Sequence, residues 1–393
     1  KPTEKWPFVA VTDDIKVAKF THGLGVGDVN GDGAADVVLF IGNELHVFRN
    51  RAANPDVLVS FSDGLNAREP EDTSFVPNAS FSYGHLTDEW ITNGEQQNDP
   101  KKDAYLYLSR ANSLNDCAYP RRCAVGSKRV VREYATNDGQ GGQRRFGLRY
   151  RDGRYDRRGY GFLGFGERIV KDLDTGATTA TFADNKTLVS VGERSVYPFM
   201  GQSESQWRWA PALPSEPDPK RVEMVFTDNR IDVVPTNNGQ TYFTIATQRH
   251  MRRMQGTFSA GSSLETWVAS IEVNENATML RDTSVEVAEF DTFGNVLRAN
   301  VSTIGVDLSY EVTRIVKNDP DRWILGQVQN RTECSTAGSK QCRSFAYVTN
   351  DFGEVESVST SSDDNISDTK LTAEYDKRDK YGNVEHVTAR DEF

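Results

Sequence analysis

The sequence predicts an all-β protein, and three observations carry that prediction. Apolar side chains recur at every second position through most of the chain, while no helical periodicity persists beyond about two turns. The alternating runs are rich in Val, Ile, Thr, Tyr and Phe, and clusters of Asp, Asn and Gly separate them. Toward the C-terminus one turn unit recurs: Asp, an aromatic residue, Gly, then Asn or Glu, then Val.

Composition sets the outer limits. The 393 residues allow two or three domains, and 37% hydrophobic with 26% charged residues is a globular composition. No run of ~18 apolar residues occurs, so no direct membrane span is expected. The chain opens KPTEKWPF, without Met or an apolar leader, and ends just after a turn unit. It reads as a piece of a longer protein. The formal net charge of −11 argues against nucleic acid as a partner, which calls for a basic field. One basic run, Arg144 to Arg158, holds seven arginines with aromatics between them. It reads as the solvent face of a hairpin or as a face paired with carboxylates, rather than as a single-strand binding stripe.

In the N-terminal region Asp28-Val-Asn30-Gly-Asp32-Gly-Ala34-Ala-Asp36 places oxygen ligands at the first, third, fifth and ninth positions. The Ala34 carbonyl supplies the seventh. Glycines let the loop turn sharply enough for these oxygens to converge on one Ca²⁺. The twelfth position is Leu39 rather than Glu, and the flanks read as strands, so this is not an EF-hand. Val37 to Ile41 is almost wholly apolar, as an interior strand requires, and Leu45, Val47 and Phe48 begin the next. This strand, calcium loop, strand, strand order resembles an FG-GAP/VCBS blade of the integrin-type β-propeller. The resemblance implies that residues 1–54 are the last blade of a propeller whose other blades lie upstream. Gly23-Leu-Gly25-Val-Gly27, which leads into the loop, is weak as a nucleotide site.

The middle of the chain centres on Arg149 to Gly176. Phe146, Leu148 and Tyr150 alternate with arginines, so one face is apolar and the other charged. Asp152-Gly153 reads as a turn. Gly159, Gly161, Gly164 and Gly166, interleaved with Tyr160, Phe162 and Phe165, read as a bulged strand that another backbone approaches closely. Asp174-Thr-Gly176 is a second turn. Glu69 to Lys102 reads as acidic and irregular, Lys128 to Tyr134 as a short strand, and Asp138 to Gly142 as a loose connection. Pro211, Pro214, Pro217 and Pro219 make a stiff boundary that cannot join a central strand.

Taken together, RYDRRGYGFLGF and the Val-x-Asp-x-x-Thr-Gly turn resemble the middle region of the B subunits of insecticidal toxin complexes (Tc toxins) and of YD-repeat (Rhs) proteins. Val57 to Ala67 and Tyr197-Pro-Phe-Met-Gly201 are similar to flanking segments of that family. At Tyr160 the family more often has Arg. The resemblance makes residues 55–214 the Tc B-subunit middle region.

Residues 215–393 read as strands and turns throughout, for example Arg221 to Phe226, Gln240 to Thr247, Leu264 to Val273 and Ser284 to Asp291. The recurring unit is Asp291-Thr-Phe-Gly294-Asn295, Asn350-Asp-Phe-Gly353-Glu354 and Asp379-Lys-Tyr-Gly382-Asn383. The Asp is expected to cap the turn, the Gly to take the left-handed position, and the aromatic to pack on its neighbour. The units lie roughly sixty and roughly thirty residues apart, two repeats and one. They resemble YD/Rhs repeats, which implies an extended β-sheet shell.

The four cysteines form local pairs, Cys117/Cys123 and Cys334/Cys342, without zinc or redox spacing. Disulfides closing short loops, in an oxidising compartment, are the simplest reading. The histidines are scattered, and neither a G-x-S-x-G elbow nor a P-loop occurs. Glu354-Val-Glu356 and Ser359-Thr-Ser361 stand in the wrong order for an ADP-ribosyltransferase. No enzyme is expected. What the resemblance implies is a secreted bacterial structural fragment, its protein assembled in the cytoplasm before export. The shell would enclose a toxic C-type polypeptide and dock on a pore-forming A-type subunit. The alternative is a secreted or surface-attached adhesion module built from FG-GAP and YD repeats.

Overall fold

A computed structural model of the chain describes residues 22–27, 36–41, 44–49, 57–62, 77–86, 106–108, 117–124, 128–211, 220–258, 277–304, 308–336, 338, 340–362, 370–379 and 382–392. The protein is all-β, as its alternation requires. Among the described residues there is no α-helix; 3₁₀ turns such as Asn237–Gly239 are the only helical structure. Two compact units are present, Lys1–Tyr107 with Val125–Gln143, and Leu108–Ala124 with Arg144–Phe393.

The chain begins with β1 (His22–Gly27), β2 (Asp36–Ile41) and β3 (Glu44–Phe48), a three-stranded antiparallel sheet with β2 in the centre. The apolar run at Val37 to Ile41 takes the central place because both its edges are paired, and Leu39 is only 3% exposed. The glycine run 23–27 is strand β1, and Gly27 pairs with Asp36.

Next come β4 (Ser60–Phe61), β5 (Ala79–His85), β6 (Tyr107–Leu108), β7 (Arg121–Cys123) and β8 (Arg129–Asn137). In the first unit β5 lies antiparallel to both β4 and β8, and Phe61 and Phe81 stack at 6.1 Å. Strand β5 falls inside the stretch expected to be irregular. Its Ala79, Phe81 and Tyr83 alternate with Ser80 and Ser82; acidic flanks masked a clean period-two run.

The second unit contains β9 (Gln143–Asp156), β10 (Gly161–Asp172), β11 (Thr178–Phe182), β12 (Val189–Val191), β13 (Arg194–Val196) and β14 (Ser205–Pro211). Then follow β15 (Lys220–Thr236), β16 (Thr241–Phe258), β17 (Ala277–Phe290), β18 (Val296–Ile304), β19 (Leu308–Asp319) and β20 (Ile324–Ser335). The last strands are β21 (Cys342–Thr349), β22 (Val355–Ser362), β23 (Lys370–Arg378) and β24 (Val384–Glu392). Strands β12 and β13 form a separate hairpin. The others from β9 to β24 follow one another in a single antiparallel meander. Pro211, expected to stand outside any central strand, ends β14 opposite Val222, beyond the part of β14 that pairs with β11, while the prolines at 214, 217 and 219 fall outside the described residues. The expected strand at 264–273 also lies outside them.

The main core cluster is Ile169, Ala180, Trp209, Val222, Met224 and Phe226, on β10, β11, β14 and β15. Trp207 packs edge-on against Phe226 at 5.7 Å and tilts against Phe182 at 4.9 Å. Further along, alternation sorts the faces. Thr283, Ala299 and Thr303 are buried on one face, whereas Ser284, Glu286, Asn300 and Ser302 are exposed on the other.

Candidate functional site

Two features of the second unit stand out: the charged hairpin β9–β10, and the row of turns at the end of the meander.

The hairpin turn lies at residues 157–160, not at Asp152-Gly153, which sits within β9. The reason is local packing. Asp152 adopts φ +54°, and the Asn185 amide donates to the carbonyl oxygens of Asp152 at 2.6 Å and Gly164 at 3.0 Å. Asn185, 1% exposed, thereby satisfies carbonyls that the β-bulge between Phe162 and Gly164 leaves outside the ladder. The backbone of Ala124, just after β7, donates to the Gly153 carbonyl at 2.7 Å. A Cβ on Gly153 would lie 2.8 Å from the Ala124 Cβ, so glycine is needed for this close approach.

The charged residues of the hairpin are internally paired, and those at its middle are buried. Arg151 bonds Glu167 at 3.0 Å directly across the strands, and Arg154 meets Asp152 at 2.8 Å. Arg144 donates to Asp172 at 2.6 Å, and Arg158 to Asp156 at 2.9 Å. Arg149 and Arg154 are 5% and 2% exposed. Four of the seven arginines are thus matched to carboxylates of this same segment, and the run is a paired face rather than a solvent face. On the opposite face Tyr150 packs on Phe165 at 4.5 Å. Burial pushes the Tyr150 phenol up to about 12, against a smaller lowering by Arg168.

Asp156 is the centre of the turn. Its Oδ1 accepts the Arg158 backbone N–H at 2.6 Å, and its Oδ2 accepts from the Arg158 guanidinium and from the Tyr197 hydroxyl at 2.8 Å. Burial alone would raise the Asp156 carboxyl; the bonds from Arg158 and Tyr197 outweigh it and hold the pKa below the ordinary value. Burial and then Asp156 raise the Tyr197 phenol. Tyr160, 44% exposed, packs edge-on against Tyr197 at 5.4 Å and donates to the Ser195 carbonyl at 3.0 Å. The motif's hairpin is therefore clamped to the Tyr197-Pro-Phe segment. Sequence reasoning missed Asn185, and it marked Tyr197 only as the start of a family-like flanking segment, without its bond to Asp156.

The turn units share one geometry. Asp291 Oδ1 accepts the N–H groups of Phe293 and Asn295, both at 2.9 Å, and its Oδ2 accepts the Asn295 amide at 2.8 Å. In the second unit Asn350 fills the cap position, accepting from Phe352 and Glu354 at 3.0 Å. Asp351, taken as the cap from sequence, is the next residue along. In the third, Asp379 accepts from the Asn383 backbone and side chain at 2.9 Å. Gly294, Gly353 and Gly382 have φ of +85°, +85° and +86°. The interval of roughly sixty residues contains one further hairpin, β19–β20, whose turn is built differently: Asp319 accepts the Arg322 N–H at 3.1 Å, and Trp323 takes a φ of +57°. Asp138 to Gly142, expected to be loose, has the same cap, with Asp138 accepting Gln140 and Gly142 at 2.8 and 2.9 Å.

Neighbouring turns lock together. Asn318 donates to Asp291 at 2.8 Å and accepts the Gly326 N–H at 2.8 Å. A Cβ on Gly353 would strike Gln327 at 2.7 Å, and one on Gly382 would lie 3.0 Å from Glu354. Each glycine is required twice, for its left-handed φ and for the side chain of the preceding hairpin lying against it. Of the turn aromatics, expected to pack on their neighbours, Phe352 stands in solvent at 83% exposed while Phe293 is 43% exposed; Tyr381 lies outside the described residues.

Cys117 is bonded to Cys123 and Cys334 to Cys342. The second pair occupies directly opposed positions of β20 and β21. Of the expected calcium ligands, Asp28, Asn30, Asp32 and Ala34 lie outside the described residues; Asp36 is fully buried at the head of β2. Among the described residues no three His, Cys, Asp or Glu converge as a metal shell. No helix among them is long and apolar enough to cross a membrane.

No family model matches the sequence, and no curated protein does. Among solved structures, the crystal structure of TcdB2-TccC3-TEV is similar at 11% identity and a TM-score of 0.29, covering 63% of this chain and 13% of that one. The crystal structure of TcdB2-TccC3-Cdc42 has the same identity and TM-score, covering 61% and 13%. The chain spans about an eighth of the chains it matches. At this level the likeness carries no weight for function, which rests here on the residues.

Proposed function

We propose that this chain is a structural segment of a secreted Tc-toxin-like B component. It forms part of a YD-repeat shell that encloses a toxic C-type polypeptide and docks on a pore-forming A-type subunit. The observation that carries the reading is the ladder of capped turns at Asp291, Asp319, Asn350 and Asp379, each glycine receiving a side chain of the preceding hairpin. A wall of this kind grows by adding hairpins, because each unit is held chiefly by the one before it. The clamped RYDRRGYGFLGF hairpin supports the same reading, since its Arg154 and Arg158 are held in internal ion pairs. The role is mechanical, with no catalytic group assigned, and Ca²⁺ held by Asp28, Asn30, Asp32, Ala34 and Asp36 would brace the N-terminal sheet.

The test is expression of the complete open reading frame followed by electron microscopy and limited proteolysis. A closed hollow particle with protease-protected internal polypeptide is expected. An extended rod, or a particle with nothing protected inside it, would overturn the proposal.

A further inference from the structure

The meander displays a row of aromatic rings along one edge. Phe293 is 43% exposed, Trp323 77% and Phe352 83%. They stand in the turns of hairpins β17–β18, β19–β20 and β21–β22, which are consecutive in the antiparallel order, so all three turns share one edge. Strands in a sheet lie ~4.8 Å apart, so successive hairpins step by ~9.6 Å. The caps at Asp291, Asp319 and Asn350 fix these turns. The surface is therefore pre-organised, and binding would cost little ordering.

Trp323 adds an independent observation. Its φ is +57°, a conformation that strains a bulky residue. Yet its ring lies mostly in water and makes no ring contact among the described residues. A strained backbone that presents an exposed Trp points to function. Charged groups flank the rings: Asp321 is exposed beside Trp323, and the Asp351 side chain beside Phe352 is 92% exposed and lies 3.8 Å from the Arg322 guanidinium, which also pairs with Asp319 at 2.8 Å.

We propose that this edge binds a proline-rich segment in the polyproline II conformation that carries Arg or Lys. Such a helix repeats its face every three residues at ~3.1 Å each, or ~9.3 Å. That step matches the spacing of the hairpins. An extended strand repeats a face every ~6.7 Å and falls out of step at the second ring. Proline rings dock on aromatic surfaces because the helix is already formed. Around Trp323 and Phe352 the carboxylates Asp319, Asp321 and Asp351 outnumber Arg322, so a peptide cation complements the edge. The chain's own Pro211-x-x-Pro214-x-x-Pro217 has the spacing but carries Glu216 and Asp218. It is the wrong charge for this edge and provides a matched control.

The experiment is fluorescence anisotropy with the full chain and the labelled peptide Arg-Pro-Ala-Leu-Pro-Ala-Leu-Pro-Arg. Saturable binding is expected, weakened about tenfold or more by Trp323→Ser with Phe352→Ser. Asp321→Asn with Asp351→Asn should weaken it too, and both a proline-to-alanine peptide and the peptide Pro-Ala-Leu-Pro-Ser-Glu-Pro-Asp should bind poorly. Trp323→Gly should lose affinity while keeping or raising the thermal midpoint, since glycine accepts the left-handed backbone; this separates lost binding from lost folding. Absence of saturable binding, or binding indifferent to these variants, would overturn the proposal. So would Trp323-dependent binding to phosphatidylcholine–phosphatidylserine vesicles in place of the peptide, which would make the edge a membrane contact.

Discussion

The Tyr197 hydroxyl donates to Asp156 Oδ2 at 2.8 Å across 41 positions of the chain. This one bond ties the glycine-rich hairpin to the segment that follows it, in a site where the Asp156 side chain has no exposure. Tyr197→Phe keeps the ring against Tyr160 and removes only the donor. We expect the unfolding free energy to fall by about 1–3 kcal/mol, the cost of a buried acceptor losing a partner. Urea denaturation with unchanged m-value checks this; a change near zero would show that the clamp is not needed.

Stability should fall at both ends of the pH range. Asp156, Asp172 and Asp291 are each held below the ordinary carboxylate value by hydrogen bonds that outweigh burial. A lowered folded pKa adds stability above the unfolded value of ~3.9, and that stability is lost as pH falls through the folded value. Tyr150 moves the other way, from 10.0 to about 12 through burial. Its contribution is complete below pH ~10 and is lost as pH rises toward the folded value. Thermal midpoints across pH should show both limbs. Tyr150→Phe should flatten the alkaline limb alone, and an unaltered limb would exclude Tyr150 as its source.

Gly353→Ala should destabilise more than Gly338→Ala. Both glycines have positive φ, +85° and +74°, so alanine is strained at either by roughly 1–2 kcal/mol. Only at Gly353 does the new Cβ also meet Gln327 at 2.7 Å and Ile324 at 3.0 Å; nothing lies within 4 Å at Gly338. The difference between the two variants isolates the contact between adjacent hairpins. Equal losses would show that φ alone explains the glycine.

The cysteine pairs should appear as Cys117–Cys123 and Cys334–Cys342 in non-reducing peptide maps of protein purified without reductant. Their sequence separations of 6 and 8 close small loops, so each contributes at most roughly 2–3 kcal/mol. Free thiols or crossed pairs would contradict this.

Calcium should raise the melting temperature of a longer chain that restores the proposed upstream blades, and Asp32→Ala should remove that rise. Without the cation three carboxylates repel in one loop; with it they become ligands. Equal melting temperatures with calcium and with a chelator would rule the site out.

The sequence by itself determined the all-β class, the central place of Val37 to Ile41, the Asp174-Thr-Gly176 turn and the repeating glycine turns. These are local properties: side-chain period and the φ that glycine permits act within a few residues. Tertiary structure alone decided the rest. Asp152-Gly153 became part of a strand because Asn185 and Ala124, both distant in sequence, satisfy its carbonyls. The arginine run became a paired face, buried at Arg149 and Arg154, because Glu167 and Asp172 lie across the hairpin. Phe352 stands in solvent, while Gln327 and Ile324 of the neighbouring hairpin lie against Gly353. Burial and charge pairing depend on which distant segments meet, and that information is spread over the whole chain rather than written in any one stretch of it.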